Sequence, residues 1–185
     1  MSVPVLVAVG AAVLLVGWLW ASYNRFVLQR ELCDDSWSTV DTELRRRYDL
    51  IPNLVATVKG YAAHEQATLQ AVIEARSRAV AATGDPSEQA PVENVLVDGL
   101  KQLLAVAEDY PDLRADRQFL ELQRELAGTE NRIQAARRIY NGNVRDLNRR
   151  VEQVPSNLVA KVGGFRRADY FQIHEAAREA PVVTT

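Results

Sequence analysis

No charged side chain precedes Arg25, and residues 3–24 are almost entirely Val, Leu, Ala and Gly, with Trp18, Trp20 and Tyr23 near the end. At about 1.5 Å per residue, a helix of about 20 residues spans roughly 30 Å, which is the thickness of the hydrocarbon core of a bilayer. This run therefore predicts a transmembrane anchor joined to a water-soluble body.

Residues 3–24 allow two other interpretations. A cleaved signal peptide has a basic start, a shorter apolar core and a small-x-small cleavage site. Here no Lys or Arg comes first, and Leu19 stands where a small residue is needed. A core helix of a soluble domain would carry a polar stripe, which this run lacks. A retained anchor is the favoured interpretation, and a cleaved signal peptide is the alternative.

The basic residues near the anchor predict its orientation. Arg25 and Arg30 follow the apolar run, and residues 45–47 add three arginines, whereas the preceding flank offers only the α-amino group. By the positive-inside rule, the N-terminus lies outside and the body is cytoplasmic. We expect a single-pass protein of the bacterial inner (plasma) membrane.

Composition narrows the class of the body. The chain has 22 Lys+Arg and 24 Asp+Glu, so its charge gives no case for nucleic acid as a partner. A single cysteine, Cys33, excludes an intramolecular disulfide framework and is predicted to fill a helix face. The abundance of Ala, Leu, Val, Arg and Glu favours helices.

Apolar residues recur every three or four positions over most of the body, which predicts long amphipathic helices. The rhythm begins at Cys33 and passes Pro52 in register, so we expect a kink there and not a reversal. The alternative is a helix that restarts with Asp49 as its cap and Pro52 in its first turn. It continues through Leu69, Val72, Ile73 and Val80, restarts near Pro91 after a loop at residues 82–87, and returns from Phe119 to Val154. Residues 158–171 are too irregular for an assignment.

These segments predict an all-α fold, with an N-terminal transmembrane helix followed by an antiparallel bundle of long helices. The expected division is an anchor at residues 1–24, a helical bundle at 25–171 and a disordered tail at 172–185.

No constellation of catalytic residues is apparent. His64-Glu65 opens like a zinc-protease helix, but Thr68 stands where the second histidine belongs, and the other histidine is His174. Gly163-Gly164 lacks the further residues of a phosphate-binding loop. We therefore predict no catalytic, cofactor-binding or metal residues and no cofactor.

The paired arginines allow two interpretations. They could contact anionic lipid headgroups or a nucleic-acid backbone, or they could form solvated helix faces paired with carboxylates. The second is favoured, with Asp41/Arg45 and Glu43/Arg47 as expected i,i+4 pairs. The other expected carboxylate partners are Glu121, Glu125, Glu130, Asp146 and Glu152. Lipid contact ranks ahead of nucleic acid, because an anchor already holds the body at a membrane.

Five stretches resemble the LemA family of bacterial membrane proteins: residues 46–55 (RRYDLIPNLV), 60–65 (GYAAHE), 107–113 (AEDYPDL), 125–133 (ELAGTENRI) and 155–158 (PSNL). Their order and spacing make the resemblance specific. Together with the preceding apolar anchor, they cover the chain from its start to about Phe171. The resemblance implies one N-terminal membrane helix with a short external end and a cytoplasmic bundle of long antiparallel helices. It implies no catalytic residues. A related branch of the family acts in magnetosome membrane organisation.

The leading functional hypothesis is a non-enzymatic, membrane-anchored helical scaffold that self-assembles or organises the membrane at its cytoplasmic face. Its expected partners are the lipid bilayer, further copies of the chain and anionic lipid headgroups. The alternative is an adaptor or regulator that binds a specific protein partner, whose identity the sequence does not give.

Overall fold

A computed structural model describes residues 2–82 and 84–173. Its elements are all helical: α1 (Val3–Tyr61), α2 (Gln66–Ala81), α3 (Pro86–Asp109), α4 (Pro111–Ala115), α5 (Arg117–Glu152) and α6 (Ser156–Gly163). The predicted all-α fold is confirmed. Residues 174–185 of the expected disordered tail, which include His174, lie outside the described residues.

α1 continues through Pro52 without a break. The reversal is thereby excluded, as expected from the unbroken apolar register, and so is a new helix capped by Asp49, while the kink stays a prediction. The predicted stripe is the buried face of this helix, since Cys33, Val40, Leu44, Tyr48, Ile51, Val55 and Val58 are all buried, as is Ala62 directly after its end. Trp37 is half-buried.

The contacts divide the chain into two compact units. Unit 1 comprises Met1–Trp37 and Ile139–Ala168. In it, the side-chain amide of Gln29 donates to the Asn143 carbonyl at 3.1 Å, and the rings of Trp37 and Tyr140 lie 5.3 Å apart. Since the higher number on α1 pairs with the lower number on α5, the two helices run antiparallel here.

Unit 2 comprises Ser38–Arg138 and Asp169–Thr185. The C-terminal part of α1, α2, α3 and the first part of α5 form an up-down-up-down arrangement. Four contacts between helices establish these directions. Hydrogen bonds join Arg76 to the Tyr48 carbonyl, Tyr110 to Glu65, and Arg132 to Glu43, and Gly99 lies against Val72. The antiparallel bundle is therefore present within this unit.

Some local predictions were wrong. α3 begins at Pro86, with Pro91 inside it. α6 includes residues 158–163 of the stretch for which no element was predicted. Ile73, Val80, Val95 and Val154 belong to the predicted apolar rhythm but are exposed. On α2, the smaller Ala75 and Ala79 complete the buried face instead.

Candidate functional site: membrane segment and buried arginine cluster

The first turns of α1 leave their apolar side chains uncovered. Val3, Leu14 and Trp20 are 74%, 76% and 70% exposed, and the other residues up to Ala21 are also exposed. Among the described residues, α1 is the one helix long and apolar enough to cross a membrane. A soluble surface rarely presents so large a continuous apolar area, so this segment requires lipid or another chain around it.

Where the apolar run ends, unit 1 forms an aromatic collar of Tyr23, Phe26, Arg30 and Phe165. The Phe165 ring stacks on Phe26 with centroids 4.8 Å apart and meets the edge of Tyr23 at 5.4 Å. The Arg30 guanidinium carbon lies 5.7 Å from the centroid of the same ring, within the range of a cation–π contact. The collar fixes the segment after α6 against α1.

Two glycines allow this docking. Gly164 has φ +71°, a left-handed conformation that ends α6 and that side chains with a Cβ rarely adopt. A Cβ on Gly163 would lie 2.7 Å from a Phe165 ring carbon. Gly163-Gly164 is thus a helix cap that turns the chain and brings the Phe165 ring close.

Unit 2 holds a second feature, a buried polar cluster that we call the arginine cluster: Arg47, Tyr48, Gln89, Glu93 and Glu130. The Arg47 Nη1 atom donates to Glu130 Oε1 at 2.7 Å, and its Nη2 atom donates to Glu93 Oε2. The Tyr48 hydroxyl donates to the other Glu93 oxygen. The cluster therefore connects α1, α3 and α5.

All of the cluster except Glu130 is buried, and the Glu130 side chain is 15% exposed. Arg47 and Glu93 are 0% exposed, and Tyr48 and Gln89 are also buried. Burial acts to lower the pKa of Arg47, but the facing carboxylates of Glu130 and Glu93 outweigh it and raise that pKa. Arg47 is therefore a permanent buried cation. Burial, with Glu93 next to the hydroxyl, also raises the pKa of Tyr48, which stays a neutral donor.

This geometry suits structure better than reaction chemistry. Both oxygens of Glu93 accept hydrogen bonds, and neither Arg47 nor Glu93 can be reached by a substrate. A buried charge that loses its partner costs several kcal/mol, so displaced arrangements of these three helices are penalised. The cluster thus specifies the register of α1 against α3 and α5.

The arginine predictions had mixed outcomes. Arg45 pairs with Asp41 at 2.8 Å on an exposed face, as predicted. The solvated Glu43/Arg47 pair was wrong, because Arg47 is buried and Glu43 accepts from Arg132 at 2.8 Å. Glu130 is a partner as expected, whereas Glu93 was missed. The available signal was its spacing, since Glu93 lies three residues after Ala90 and four before Val97, on the buried face of α3.

The remaining candidates lie apart from the cluster. His64 is exposed in the turn between α1 and α2, and Cys33 is buried on α1. Burial, with a smaller effect from Asp34, raises the pKa of the Cys33 thiol to about 11, so the reactive thiolate is disfavoured. Within residues 2–82 and 84–173, no three His, Cys, Asp or Glu side chains are grouped so as to hold a metal ion.

Comparison with known proteins supplies the family. The sequence profile of the LemA family matches residues 36–184, most of the chain. This chain belongs to the LemA family. The arginine cluster lies within the LemA-matched region, while the apolar segment precedes it.

The relatives include members with two kinds of name. Magnetosome protein MamQ 1 of Paramagnetospirillum magneticum is 27% identical, covering 96% of this chain and 74% of that protein. Magnetosome protein MamQ of Magnetospirillum gryphiswaldense is 25% identical with the same coverage. Protein LemA of Metamycoplasma hominis is 25% identical, covering 84% of this chain and 71% of that protein.

The MamQ similarity leaves few residues unmatched, so it extends into the apolar segment that the LemA profile omits. The names of these relatives state no enzymatic reaction. Together with the exposed apolar part of α1, they indicate a membrane-associated LemA-family protein.

Proposed function

We propose that this protein is a non-enzymatic scaffold that crosses the bacterial inner membrane once through residues 3–24 and self-assembles at the cytoplasmic face. The observation that carries the proposal is α1 itself. One helix holds an uncovered apolar run of membrane-spanning length and, further along, the buried core positions of a bundle. A helix of this kind joins a lipid anchor directly to a folded body.

The nature of the arginine cluster supports a non-enzymatic role. Arg47 and Glu93 are fully buried and bind to each other, whereas an active site needs reactive groups that a substrate can reach. A structural use of these residues is the simpler explanation of their burial.

Topology is tested by cysteine accessibility in intact cells. Because Cys33 is buried, the probe requires new thiols in a Cys33→Ala background. A membrane-impermeant maleimide should label the Ser2→Cys variant in intact cells and the Ala127→Cys variant only after lysis. Both positions are exposed in the structure. Labelling of Ala127→Cys in intact cells would overturn the proposed orientation, and loss of the protein in alkaline carbonate would overturn membrane insertion.

Self-assembly is supported by an uncovered face of α2. Ile73 and Val80 lie seven residues apart, on one side of the helix, and are 48% and 47% exposed. We expect the double variant Ile73→Glu/Val80→Glu to shift the detergent-solubilised protein towards the monomer in mass photometry. Ala71→Glu, also exposed but on the other side of α2, is the matched control. A strictly monomeric parent protein would contradict self-assembly.

The second candidate function, an adaptor for one protein partner, rests on the same α2 face, because a heterologous partner could cover it equally well. Crosslinking of the full-length protein in native membranes distinguishes the two. One stoichiometric heterologous partner, lost from the Ile73→Glu/Val80→Glu variant and kept by Ala71→Glu, would support the adaptor.

A further inference from the structure

An uncovered apolar stripe lies on α6 and the turn before it. Val154, Leu158 and Val162 are 74%, 63% and 92% exposed, and successive members are four residues apart. Within α6, Leu158 and Val162 therefore share one face, while Val159 and Ala160 are buried on the other. We call Val154, Leu158 and Val162 the juxtamembrane patch.

The patch is tied to the end of the apolar segment within unit 1. A Cβ on Gly163, the last residue of α6, would lie 3.4 Å from a ring carbon of Tyr23, and Phe165 packs on both Tyr23 and Phe26. Tyr23 belongs to the aromatic end of the segment, where amphipathic rings favour the headgroup zone. α6 is thus held beside the place where the anchor leaves the bilayer.

The charges of unit 1 match a membrane surface. Its residues include eight Lys+Arg and five Asp+Glu, whereas the whole chain has 22 and 24. Lys161 and Arg166 are exposed on and just after α6. A short helix with apolar residues on one side and cations beside them resembles segments that lie in the plane of a membrane interface.

We propose that the juxtamembrane patch inserts into the headgroup region of the leaflet that the anchor leaves, with Lys161 and Arg166 facing anionic lipid headgroups. The inference rests on the proposed membrane insertion of residues 3–24. Lipid is the favoured occupant because the anchor holds α6 next to it, so that insertion is an intramolecular step at high effective concentration. Cations near an anionic surface strengthen such binding.

The test places an environment-sensitive fluorophore on the patch of the full-length protein. The Cys33→Ala/Val162→Cys variant, labelled with nitrobenzoxadiazole, is reconstituted in vesicles of phosphatidylcholine with phosphatidylglycerol. We expect blue-shifted emission that is quenched by lipids bearing a spin label. The same label in an Ala127→Cys variant, at an exposed position of α5 outside the patch, should emit as in water.

A label in a Leu14→Cys variant separates this inference from the proposed function. If position 14 is quenched by lipid-borne spin labels and position 162 is not, the anchor stands and the patch proposal fails. If position 14 is also unquenched, membrane insertion itself fails. Blue-shifted emission at position 162 without lipid quenching would mean that a second copy or another protein covers the patch, which also overturns the proposal.

Three further variants test its parts. Leu158→Asp should return the label at position 162 to a water-like emission. Lys161→Gln and Arg166→Gln should each lower the ratio of buried to exposed label about fivefold in anionic vesicles, since a basic residue near such a surface contributes about 1 kcal/mol. Lys161→Gln and Arg166→Gln should have no effect in pure phosphatidylcholine, and an equal loss there would contradict the contact with anionic headgroups.

Discussion

Arg47 occupies a core position of α1, three residues after Leu44 and four before Ile51, and still carries a charge. Its partners come from two other helices, so the position is acceptable only when α3 and α5 are in register. We interpret the arginine cluster as the feature that selects one packing of unit 2 among the alternatives its apolar faces would allow.

Removal of one carboxylate partner of Arg47 should show that the folded state depends on the arginine cluster. We expect Glu93→Ala to lower the free energy of unfolding by about 3–5 kcal/mol, because Arg47 is left as a buried charge with one carboxylate fewer. The measurement is urea denaturation of the full-length protein in detergent. Asp98→Ala, which breaks an exposed pair with Lys101 at 3.6 Å on the same helix, should cost at most about 1 kcal/mol. Equal losses in the two variants would contradict the role of burial.

Replacement of the whole cluster should behave differently. A combined Arg47→Met/Tyr48→Phe/Glu93→Leu/Glu130→Leu variant removes every charge together, and apolar substitutes for buried ion pairs are often neutral or stabilising. We expect this variant to recover most of the free energy of unfolding that Glu93→Ala loses, as measured by the same denaturation experiment. If register is what the cluster provides, this variant should also show broader amide NMR signals than the parent. A sharp, parent-like spectrum would argue against that role.

The Cys33 thiol should react slowly in the folded protein. It is 4% exposed, and its pKa is raised to about 11, so near neutral pH almost none of it is thiolate. We expect its reaction with a maleimide to be slow in the folded protein and to accelerate as the pH approaches 11 or on denaturation. A reaction at neutral pH as fast as that of an exposed cysteine, such as Ala127→Cys, would contradict the burial.

At the scale of single elements, the end of α6 depends on one backbone conformation. Gly164→Ala should lower the free energy of unfolding by about 1–2 kcal/mol, because a Cβ disfavours φ +71°. Gly142→Ala is the control, since Gly142 lies inside α5 in the same unit and a Cβ there meets nothing within 4 Å. That change should be neutral or stabilise by up to about 1 kcal/mol. Both are measured by urea denaturation.

The start of α5 has a pH-dependent cap. The backbone N–H of Phe119 donates to Asp116 Oδ1 at 2.8 Å, and this bond, with a weaker contribution from the Tyr61 hydroxyl, lowers the pKa of Asp116 below 3.8. A carboxyl whose pKa is lower in the folded than in the unfolded state stabilises the folded protein at pH values above its unfolded pKa. This contribution is lost as the pH falls through its folded pKa. Asp116→Ala should therefore destabilise the protein near neutral pH and have a smaller effect below pH 3.8. An effect independent of pH would exclude the charged cap.

Helices were predictable from the sequence where apolar spacing was regular, and α1 is the clearest case, since its buried face follows the predicted stripe. Apolar spacing does not identify the buried face where small residues do the packing, as with Ala75 and Ala79. It also gives no signal for α6, a short helix that ends in two glycines within a stretch of irregular composition. The arginine cluster was missed for another reason. A charged residue in an apolar register is recognised as core only together with its partner, and Glu93 lies 46 residues from Arg47.

At the scale of the whole molecule, membrane association depends on the apolar run of α1. An arginine near the centre of a spanning helix costs about 2.5–3.5 kcal/mol of insertion free energy. We expect Leu14→Arg to move a substantial fraction of the protein from the carbonate-resistant membrane fraction to the soluble or aggregated fraction. Leu14→Ile is the control and should remain membrane-bound. Full retention of the arginine variant would show that residues 3–24 are not the anchor.

The division of the chain into units has a consequence for biosynthesis. Residues 38–138, most of unit 2, lie between the two parts of unit 1 in the sequence. A ribosome therefore delivers the apolar segment first, then the helices of unit 2, and Phe165, the partner of Phe26, only near the end. Every residue of the arginine cluster is therefore synthesised before Phe165, so the cluster can form before the collar exists. The collar of unit 1 thus closes late in synthesis, after the residues of the arginine cluster, and residues 169–173 of unit 2 follow it.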